Sequence, residues 1–399
     1  MRNKKPFTIT QVSADGRFGL ERENLRVDPR GTLALTPHPL AFGDKLTNSE
    51  ITTDFSESQI ELVTPVAHSV QELFAHEKRL TKTIYTGIND ELLWPLSTPP
   101  SLLPAEDQIP IADFGRKGQD KTGYRVYLSK KYGRIKQLYC GIHFNFSFPD
   151  HLFPNQDACN RFYLNLVANA LRHRYFLVHL LSASPERIES IPYRSVRLST
   201  HGYKNLEPVY PDYSSPQNYI DSLRDAVERG VIESPRELYQ LVRIKGTGFE
   251  DLVNAPKAGR IELRIADLNP LFRAGINPND LYLMHLYLLW CAQSDASEFT
   301  REDQKEANAR SDEAALCTVT DSFSVKMNAL FDALLTFTRS QSLPAAYESA
   351  LNDARARWID RSKSYAARVH SELKREPSAA MHWARQMKNA YLSPCRSAH

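Results

Sequence analysis

Four segments of the chain alternate apolar and polar residues with the period of half-buried β-strands. They are Phe18–Val27, Gln59–Thr64, Gly141–Phe148 and Arg260–Ile265. In the third segment, Ile142, Phe144 and Phe146 lie on one face, and His143 and Asn145 lie on the other. This pattern predicts a sheet with helices packed on one side and a polar cavity on the other.

Segments with helical spacing fill the intervals between these strands. Ser69–Glu72 is a capping box that opens a helix to about Ile88, and Ser234–Glu237 is a second capping box. Further helices are predicted at Asn160–Leu181, from Ser215 to near Gly230, at Asp280–Gln293 and over much of Asp321–Lys388. We expect one α+β catalytic domain over residues 1–399, with a helix-rich C-terminal part at about 277–399.

Composition narrows the class of protein. The 399 residues are 42% apolar, enough for a substantial core, and 50 basic against 47 acidic residues give a net charge of +3. This balance argues against an obligate nucleic-acid binder.

The chain contains five scattered cysteines without metal spacing, Cys140, Cys159, Cys291, Cys317 and Cys395. They indicate reduced thiols in a cytoplasmic protein. The basic N-terminus Met1–Lys5 precedes no apolar signal segment, and no apolar run is long enough for a membrane span.

Acidic residues concentrate on the polar faces of the predicted strands. Glu21 and Glu23 are two residues apart and share a face, with Arg22 on the other. The acidic run Asp54–Glu61 contains Glu57 and Glu61 on one predicted face, and the remaining strands add His143, Asn145, Glu262 and Arg264. Oxygen-rich sites with an occasional histidine suit Mg²⁺ or Mn²⁺. Such metals can bind ATP phosphates without a glycine-rich phosphate loop, and the sequence contains no such loop.

Each of these features also has an ordinary structural explanation. A Glu-x-Glu pair is common on a solvated strand face, and a single histidine is common in a protein core. Arg260, Glu262 and Arg264 could form surface ion pairs that contribute little. No single feature therefore indicates a metal or phosphate site. The indication comes from acidic residues on several predicted strands at once.

Longer motifs around these residues resemble those of bacterial glutamate–cysteine ligases (γ-glutamylcysteine synthetases). In chain order they are Phe18–Val27, Gly31–Pro39, Ile51–Pro65, Trp94–Ser97, Gly141–Ser147 and Ile261–Pro270. The resemblance covers roughly residues 17–297. It implies a fold related to glutamine synthetase, in which a curved, mainly antiparallel sheet forms a funnel wrapped by helices.

The resemblance also implies a chemistry. ATP phosphorylates the γ-carboxylate of glutamate, and an amine attacks the γ-glutamyl phosphate, so no enzyme nucleophile is needed. The expected partners are the small molecules glutamate, ATP and cysteine or another small amino acid. Neither nucleic acid nor a membrane is expected as a partner.

Site residues follow from the matched positions. A magnesium-binding cluster is implied at Glu21, Glu23, Asp54, Glu61, His143 and Glu262. Arg264 and Arg125 match arginines of the active site. Substrate-binding positions are implied at Phe55, Tyr124, Leu128, Asn145, Arg197, Tyr203 and Tyr239. Ordinary packing is the alternative role of the tyrosines.

The chain departs from the family pattern on the acceptor side. A stretch is missing between Pro185 and Tyr193, and Gln240–Lys245 replaces a proline-containing run. Tyr139 and Cys140 differ from the residues expected before the His-x-Asn strand. Cysteine is the expected acceptor, and another small amino acid, used in a specialised natural-product pathway, is the alternative. A non-catalytic binding or regulatory relative is a third possibility.

Overall fold

The computed structural model describes residues 14–294 and 297–393, so the N-terminal segment Met1–Lys5 and Cys395 lie outside the described residues. The strands within these ranges are β1 Arg17–Val27, β2 Ile51–Thr52, β3 Gln59–Val63, β4 Leu92–Leu93, β5 Ile142–Ser147, β6 Glu186–Ile188, β7 Ile191–Tyr193, β8 Val242–Thr247 and β9 Lys257–Ala266. All four predicted strands are therefore present. They form the centre of the molecule's main sheet.

Seven of the strands form one open sheet in the order β2-β3-β1-β5-β9-β8, with β4 paired to β1. Every pairing in it is antiparallel, and β6 and β7 form a separate hairpin. Register shifts in the β5–β9 and β8–β9 pairs mark irregularities of the kind that bend a sheet. The predicted α+β class with a mainly antiparallel sheet is confirmed.

Helices surround this sheet and dominate the C-terminal part. They are α1 Val70–Gly87, α2 Gln119–Tyr132, α3 Gln156–His173, α4 Tyr175–Leu181, α5 Pro216–Glu228, α6 Pro278–Gln293, α7 Arg301–Ala314, α8 Asp321–Ser340, α9 Ala345–Ile359, α10 Tyr365–Arg375 and α11 Ala379–Leu392. The N-cap predicted at Ser69 is present, since its hydroxyl accepts a hydrogen bond from the Glu72 N–H at 3.1 Å. The full capping box is not formed, because the Glu72 carboxylate accepts from the His68 N–H at 2.8 Å and not from the Ser69 N–H. None of these helices is both long and apolar enough to cross a membrane.

The apolar face of the sheet packs against helices α1 and α6. Phe18 and Phe146 contact the imidazole of His285, with ring centroids 4.8 and 4.3 Å apart. On the same side, Arg22 forms a buried ion pair with Glu77 of α1. Arg22 thus points away from its neighbours on β1, as the alternation predicts. The opposite face of the sheet is left for the polar residues.

Three local predictions need correction. The helix predicted at Asn160–Leu181 is two helices, interrupted at Arg174. The second capping box is wrong, because Pro235–Glu237 is only a single 3-10 turn and the buried Ser234 hydroxyl has no hydrogen-bond partner among the described residues. Helix α2 was not predicted, because Leu128 is its one buried residue and its sequence carries no apolar periodicity.

Candidate active site

Three strands bring a carboxylate, an imidazole and a second carboxylate together on the polar face of the sheet. Antiparallel pairing places Glu21 of β1 opposite His143 of β5, and Asn145 of β5 opposite Glu262 of β9. Glu21, His143 and Glu262 each offer one ligand atom, and these atoms all lie within 4.8 Å of one another. One Glu262 oxygen is buried without a hydrogen-bond partner among the described residues. The arrangement could hold a cation.

Further carboxylates extend this cluster along β1 and β3. Glu23 lies directly opposite Glu61 in the β1–β3 pair, and its Oε1 is 3.7 Å from His143 Nε2. The carboxylate of Glu61 makes no hydrogen bond or ion pair with any residue in the described ranges. Asp54 lies in the loop before β3 and lines the same cavity as Glu23 and His143. The structure thus places Glu23, Glu61 and Asp54 beside the three residues whose ligand atoms lie within 4.8 Å of one another.

The electrostatics of the cluster divide its carboxylates into two groups. Burial, together with the charges of Asp54, Glu21 and Glu23, raises the pKa of Glu61 well above its usual value. Burial also raises the pKa of Glu23. Burial opposes ionisation of Glu262 as well, but the nearby positive charges, led by Arg264 and Lys245, together outweigh it and lower the pKa of that carboxyl. The positive charges near Glu23 and Glu61 therefore compensate their negative charge only in part.

The donor set fits Mg²⁺, and also Mn²⁺. Carboxylate oxygens with one imidazole are the ligands of hard divalent cations, and a bound cation would neutralise the repulsion among these groups. The imidazole is oriented for this role, because His143 Nδ1 lies 3.2 Å from Glu21 Oε2. Glu21 is fixed in turn by the Asn145 amide, which donates to its Oε1 at 3.0 Å.

A cavity adjoins the acidic cluster on its open side. It is lined by Glu23, Asp54, Gln137, Tyr139, His143, Arg197, Tyr203, Tyr239, Gln240, Leu241 and Arg264. Asp267 fixes Arg197, whose Nε donates to Asp267 Oδ1 at 2.9 Å. Arg264 Nη1 lies 3.4 Å from Glu262 Oε1, and buried carboxylates around it raise its pKa, so that it stays cationic. Two fixed arginines therefore face a cavity next to the proposed metal ligands.

Aromatic residues form the opposite wall of this cavity. The rings of Tyr203 and Tyr239 are 4.0 Å apart, and the Tyr203 hydroxyl donates to Gln137 Oε1 at 2.8 Å. The Tyr239 hydroxyl and the Gln137 amide nitrogen are buried without hydrogen-bond partners among the described residues. Unsatisfied buried polar atoms on a cavity wall are suited to bind a polar ligand.

Helix α2 carries three of the predicted residues. Arg125 donates to the backbone carbonyl of Asp54, and its Nη2 lies 3.9 Å from the Asp54 carboxylate. Tyr124 packs under the guanidinium of Arg236, 4.7 Å from the ring centroid. Leu128 is buried, as is Phe55, and neither is among the residues that line the cavity. Their predicted substrate contacts stay predictions.

Asn145 also differs from a simple substrate ligand. Its amide nitrogen donates to Glu21, and its carbonyl accepts from Arg260 Nε at 3.0 Å. Both polar atoms are therefore engaged within the sheet. This geometry supports a role in orienting Glu21, and direct substrate contact stays a prediction.

Glu57 does not join the cluster, contrary to the prediction that it shares a face with Glu61. It precedes β3, pairs with Lys45 and accepts from the N–H groups of His38 and Asp113, each at 2.8 Å. The prediction was wrong because strand alternation was extended beyond the first residue of the strand. The acidic run therefore contributes Asp54 and Glu61 only.

Sequence reasoning missed the role of Glu237. Its carboxylate is fully buried and accepts hydrogen bonds from Lys131 Nζ at 2.5 Å, the Tyr132 hydroxyl at 2.6 Å and the Tyr127 hydroxyl at 3.0 Å. All three donors belong to helix α2, and Glu237 lies two residues before Tyr239. Glu237 thus anchors α2 to the cavity wall. No sequence signal separates it from a helix-capping glutamate.

Comparisons with known proteins identify the family of the chain. The family model described as glutamate-cysteine ligase matches residues 7–191 and 186–314. The chain is 38% identical over 341 residues to the glutathione biosynthesis bifunctional protein GshAB of Desulfotalea psychrophila, covering 78% of this chain and 43% of that protein. It is 39% identical over 345 residues to the protein of the same name from Listeria monocytogenes, covering 78% and 45%. The chain therefore spans less than half the length of these curated relatives.

Solved structures show the same fold. A bifunctional glutathione synthetase from Pasteurella multocida aligns with a TM-score of 0.86 at 27% identity, over 95% of this chain and 53% of that chain. Glutamate–cysteine ligase from Francisella tularensis, solved in complex with AMP, aligns with a TM-score of 0.86 at 22% identity, over 98% and 91%. The family match covers most of the chain and the fold agrees with it. This protein belongs to the glutamate-cysteine ligase family.

Proposed function

We propose that the chain is an ATP- and Mg²⁺-dependent carboxylate–amine ligase that joins the γ-carboxylate of glutamate to cysteine, giving γ-glutamylcysteine. One observation carries this proposal: five potential metal ligands lie on one sheet face, with a sixth, Asp54, in the loop before β3, beside two fixed arginines. Family membership supports the same activity, and the Francisella relative was solved with AMP. Mn²⁺ is compatible with the same ligands.

The residues have separate tasks in the proposed reaction. A γ-carboxylate oxygen of glutamate attacks the γ-phosphorus of ATP, which gives γ-glutamyl phosphate and ADP. The acceptor amine attacks the acyl carbon, phosphate leaves, and the amine loses a proton. Arg264 stabilises negative charge on the transferred phosphoryl group, and Arg197, oriented by Asp267, binds a carboxylate of glutamate. Bound Mg²⁺ would offset repulsion between the ATP phosphates and the acidic cluster.

Arg125 and the aromatic wall are assigned to the positioning of the substrates. Arg125 fixes the loop that carries Asp54, and Tyr203 and Tyr239 face the cavity in which the acceptor would lie. Tyr124 and Gln137 lie next to this wall. Catalysis then rests on positioning, which can supply a large part of the rate enhancement.

One observation favours another small amino acid as the acceptor. Tyr139, at a position where the family resemblance predicts a different residue, lines the cavity directly and makes no hydrogen bond with a described residue. A phenol at this point changes the size and polarity of the acceptor space. Because one methylene in a pocket changes binding by only about 1–3 kcal/mol, a single such contact can change the preferred acceptor.

A non-catalytic relative is less compatible with the structure. Buried carboxylates that repel each other lower stability unless a cation compensates them, and a binding subunit would have no use for that cost.

The buried apolar cluster that contains Phe18 of β1 also contains Val369 and Ala384 of the last two helices. This continuity supports the proposal of a single catalytic domain. The expected cytoplasmic location stays a prediction.

Phosphate release from ATP, with mass detection of the product, tests the proposal. Purified protein is supplied with Mg²⁺, glutamate and a panel of small amines that includes cysteine. Glu262→Gln is expected to abolish turnover, and Glu302→Gln, at an exposed ion pair on α7, serves as the matched control. Fastest turnover with cysteine identifies the acceptor, and fastest turnover with another amine identifies the alternative. Glutamate-independent phosphate release, or none with any amine, overturns the ligase assignment.

A further inference from the structure

A second cavity lies behind the aromatic wall of the candidate active site. Its volume is about 340 Å³, within the range of small-molecule sites. Arg197, Tyr203, Tyr239, Gln240 and Leu241 line both cavities. The far side is formed by the α3–α4 joint, the loop after Arg197 and helix α7. Two spaces therefore share one wall of side chains, and only the first contains the acidic cluster.

The lining of this rear cavity carries one cation without a carboxylate partner among the described residues. Arg174, at the break between α3 and α4, is 6% exposed. Its Nη1 donates to the Leu171 carbonyl at 2.6 Å, and its Nη2 donates to the Asn308 side-chain carbonyl. Neither acceptor is charged. Burial lowers the pKa of Arg174 to about 10, and the charge of Asp312, which is paired with Lys204, offsets this effect only in part.

The other charges of the lining are already paired. Arg197 forms an ion pair with Asp267, and Lys204 forms one with Asp312. The rear cavity therefore has a net positive charge that comes from Arg174. Buried charges are unfavourable unless an opposite charge or a hydrogen-bonding ligand compensates them. An anion bound in the rear cavity would supply this compensation.

We propose that the rear cavity binds the carboxylate, or a similar anionic group, of a small molecule, with Arg174 as its counter-ion. The planar guanidinium offers paired donors that match a carboxylate. Asn308, which already contacts Arg174, lies on the same lining. Lys204 and Asn205 also belong to the lining.

This anionic group has two possible sources. It can be a second acidic group of the acceptor, because the tyrosines that face the reacting centre also border the rear cavity. It can instead be a free effector, because Asn205 connects the rear lining to Tyr239, whose backbone N–H donates to Asn205 Oδ1 at 3.0 Å. The first source rests on the proposed ligase function, whereas anion binding itself does not.

Two arms of one experiment test the proposal with the full chain. In the binding arm, the melting temperature of Mg²⁺-free protein is measured while succinate or inorganic phosphate is titrated. A saturable rise is expected for the wild type and is lost in Arg174→Met. Arg194→Met is the matched control, because Arg194 is an equally buried arginine, also without an ion pair in the described residues, that lines neither cavity. If Arg174→Met does not fold, Arg174→Lys should bind succinate more weakly than the wild type.

In the kinetic arm, the acceptor panel includes neutral and acidic amino acids. If the acceptor supplies the anion, Arg174→Met raises KM for acidic acceptors about tenfold, the effect of one charge-assisted hydrogen bond, without raising KM for neutral ones. If the anion is a free effector, succinate changes the rate of the wild type but not of Arg174→Met. The proposal is overturned if neither succinate nor phosphate binds saturably and the wild type and Arg174→Met have the same KM for every acceptor. If the protein has no ligase activity, the binding arm alone decides whether the rear cavity binds an anion.

Discussion

Replacing Glu237 with glutamine tests whether one buried carboxylate anchors helix α2 to the acceptor side of the active site. The substitution keeps the size of the side chain and removes its charge. Lys131, Tyr127 and Tyr132 then donate to a neutral amide whose nitrogen is itself a donor. At least one of the three donors loses its acceptor.

The expected loss of stability follows from the burial of the pair. Removing one partner of a buried ion pair costs about 3–5 kcal/mol. Because the Lys131 side chain is 18% exposed, water can partly replace the lost carboxylate. We therefore expect the free energy of unfolding to fall by about 2–4 kcal/mol.

The catalytic effect should be confined to the acceptor. Glu237 lies two residues before Tyr239 and holds helix α2, which carries Tyr124, whereas the acidic cluster lies on the sheet except for Asp54. A displacement of about 1 Å in a positioned group can cost about a hundredfold in rate. We expect kcat/KM for the acceptor to fall about 10–100-fold, while KM for ATP and glutamate stays unchanged.

Urea unfolding and steady-state kinetics provide the measurements. The double variant with Lys131→Met should lose less stability than the sum of the single variants, because no unpaired charge remains. Glu302→Gln, in the exposed pair with Lys305, is the control and should change stability by less than about 0.5 kcal/mol. Equal losses for all three substrates, or strict additivity with Lys131→Met, would refute the anchoring role.

Three further predictions concern the cluster, the core and the acceptor pocket. Glu61→Gln should stabilise Mg²⁺-free protein by about 1 kcal/mol, because it removes an unpaired charge among carboxylates. It should also reduce the rise in melting temperature that Mg²⁺ causes. An unchanged melting temperature both with and without Mg²⁺ would contradict this. Burial lowers the pKa of His285 to about 3, so below pH 6.5 the unfolded chain binds a proton that the native core does not. The free energy of unfolding should therefore fall as the pH is lowered, by about 3 kcal/mol from this group at pH 4.5. In His285→Gln, the free energy of urea unfolding should depend less on pH between 4.5 and 7.5. The same pH dependence in the variant and the wild type would exclude this cause. Tyr139→Leu should lower KM roughly tenfold for acceptors one or two methylenes larger without changing KM for ATP, and an unaltered acceptor profile would show that Tyr139 does not limit the pocket.

Much of the catalytic face was predictable because strand alternation is a local property. The positions of Glu21 and Glu23 on one face of β1, with Arg22 on the other, follow from a two-residue period. His143 and Glu262 follow from the same rule in β5 and β9. The prediction failed at Glu57, where the alternation was applied outside the strand, and at Ser234–Glu237, where a capping pattern opened only one turn.

The sequence by itself determined which strands present carboxylates, which family the motifs resemble and which chemistry that family implies. Only the tertiary structure decided the register that places Glu23 opposite Glu61, the anchoring of α2 by Glu237, and the unpaired charge of Arg174 in the rear cavity. Glu237 and Lys131 are 106 residues apart, and Arg174 and Asn308 are 134 apart. Such contacts depend on the packing of distant segments, and neither local periodicity nor composition carries information about that packing.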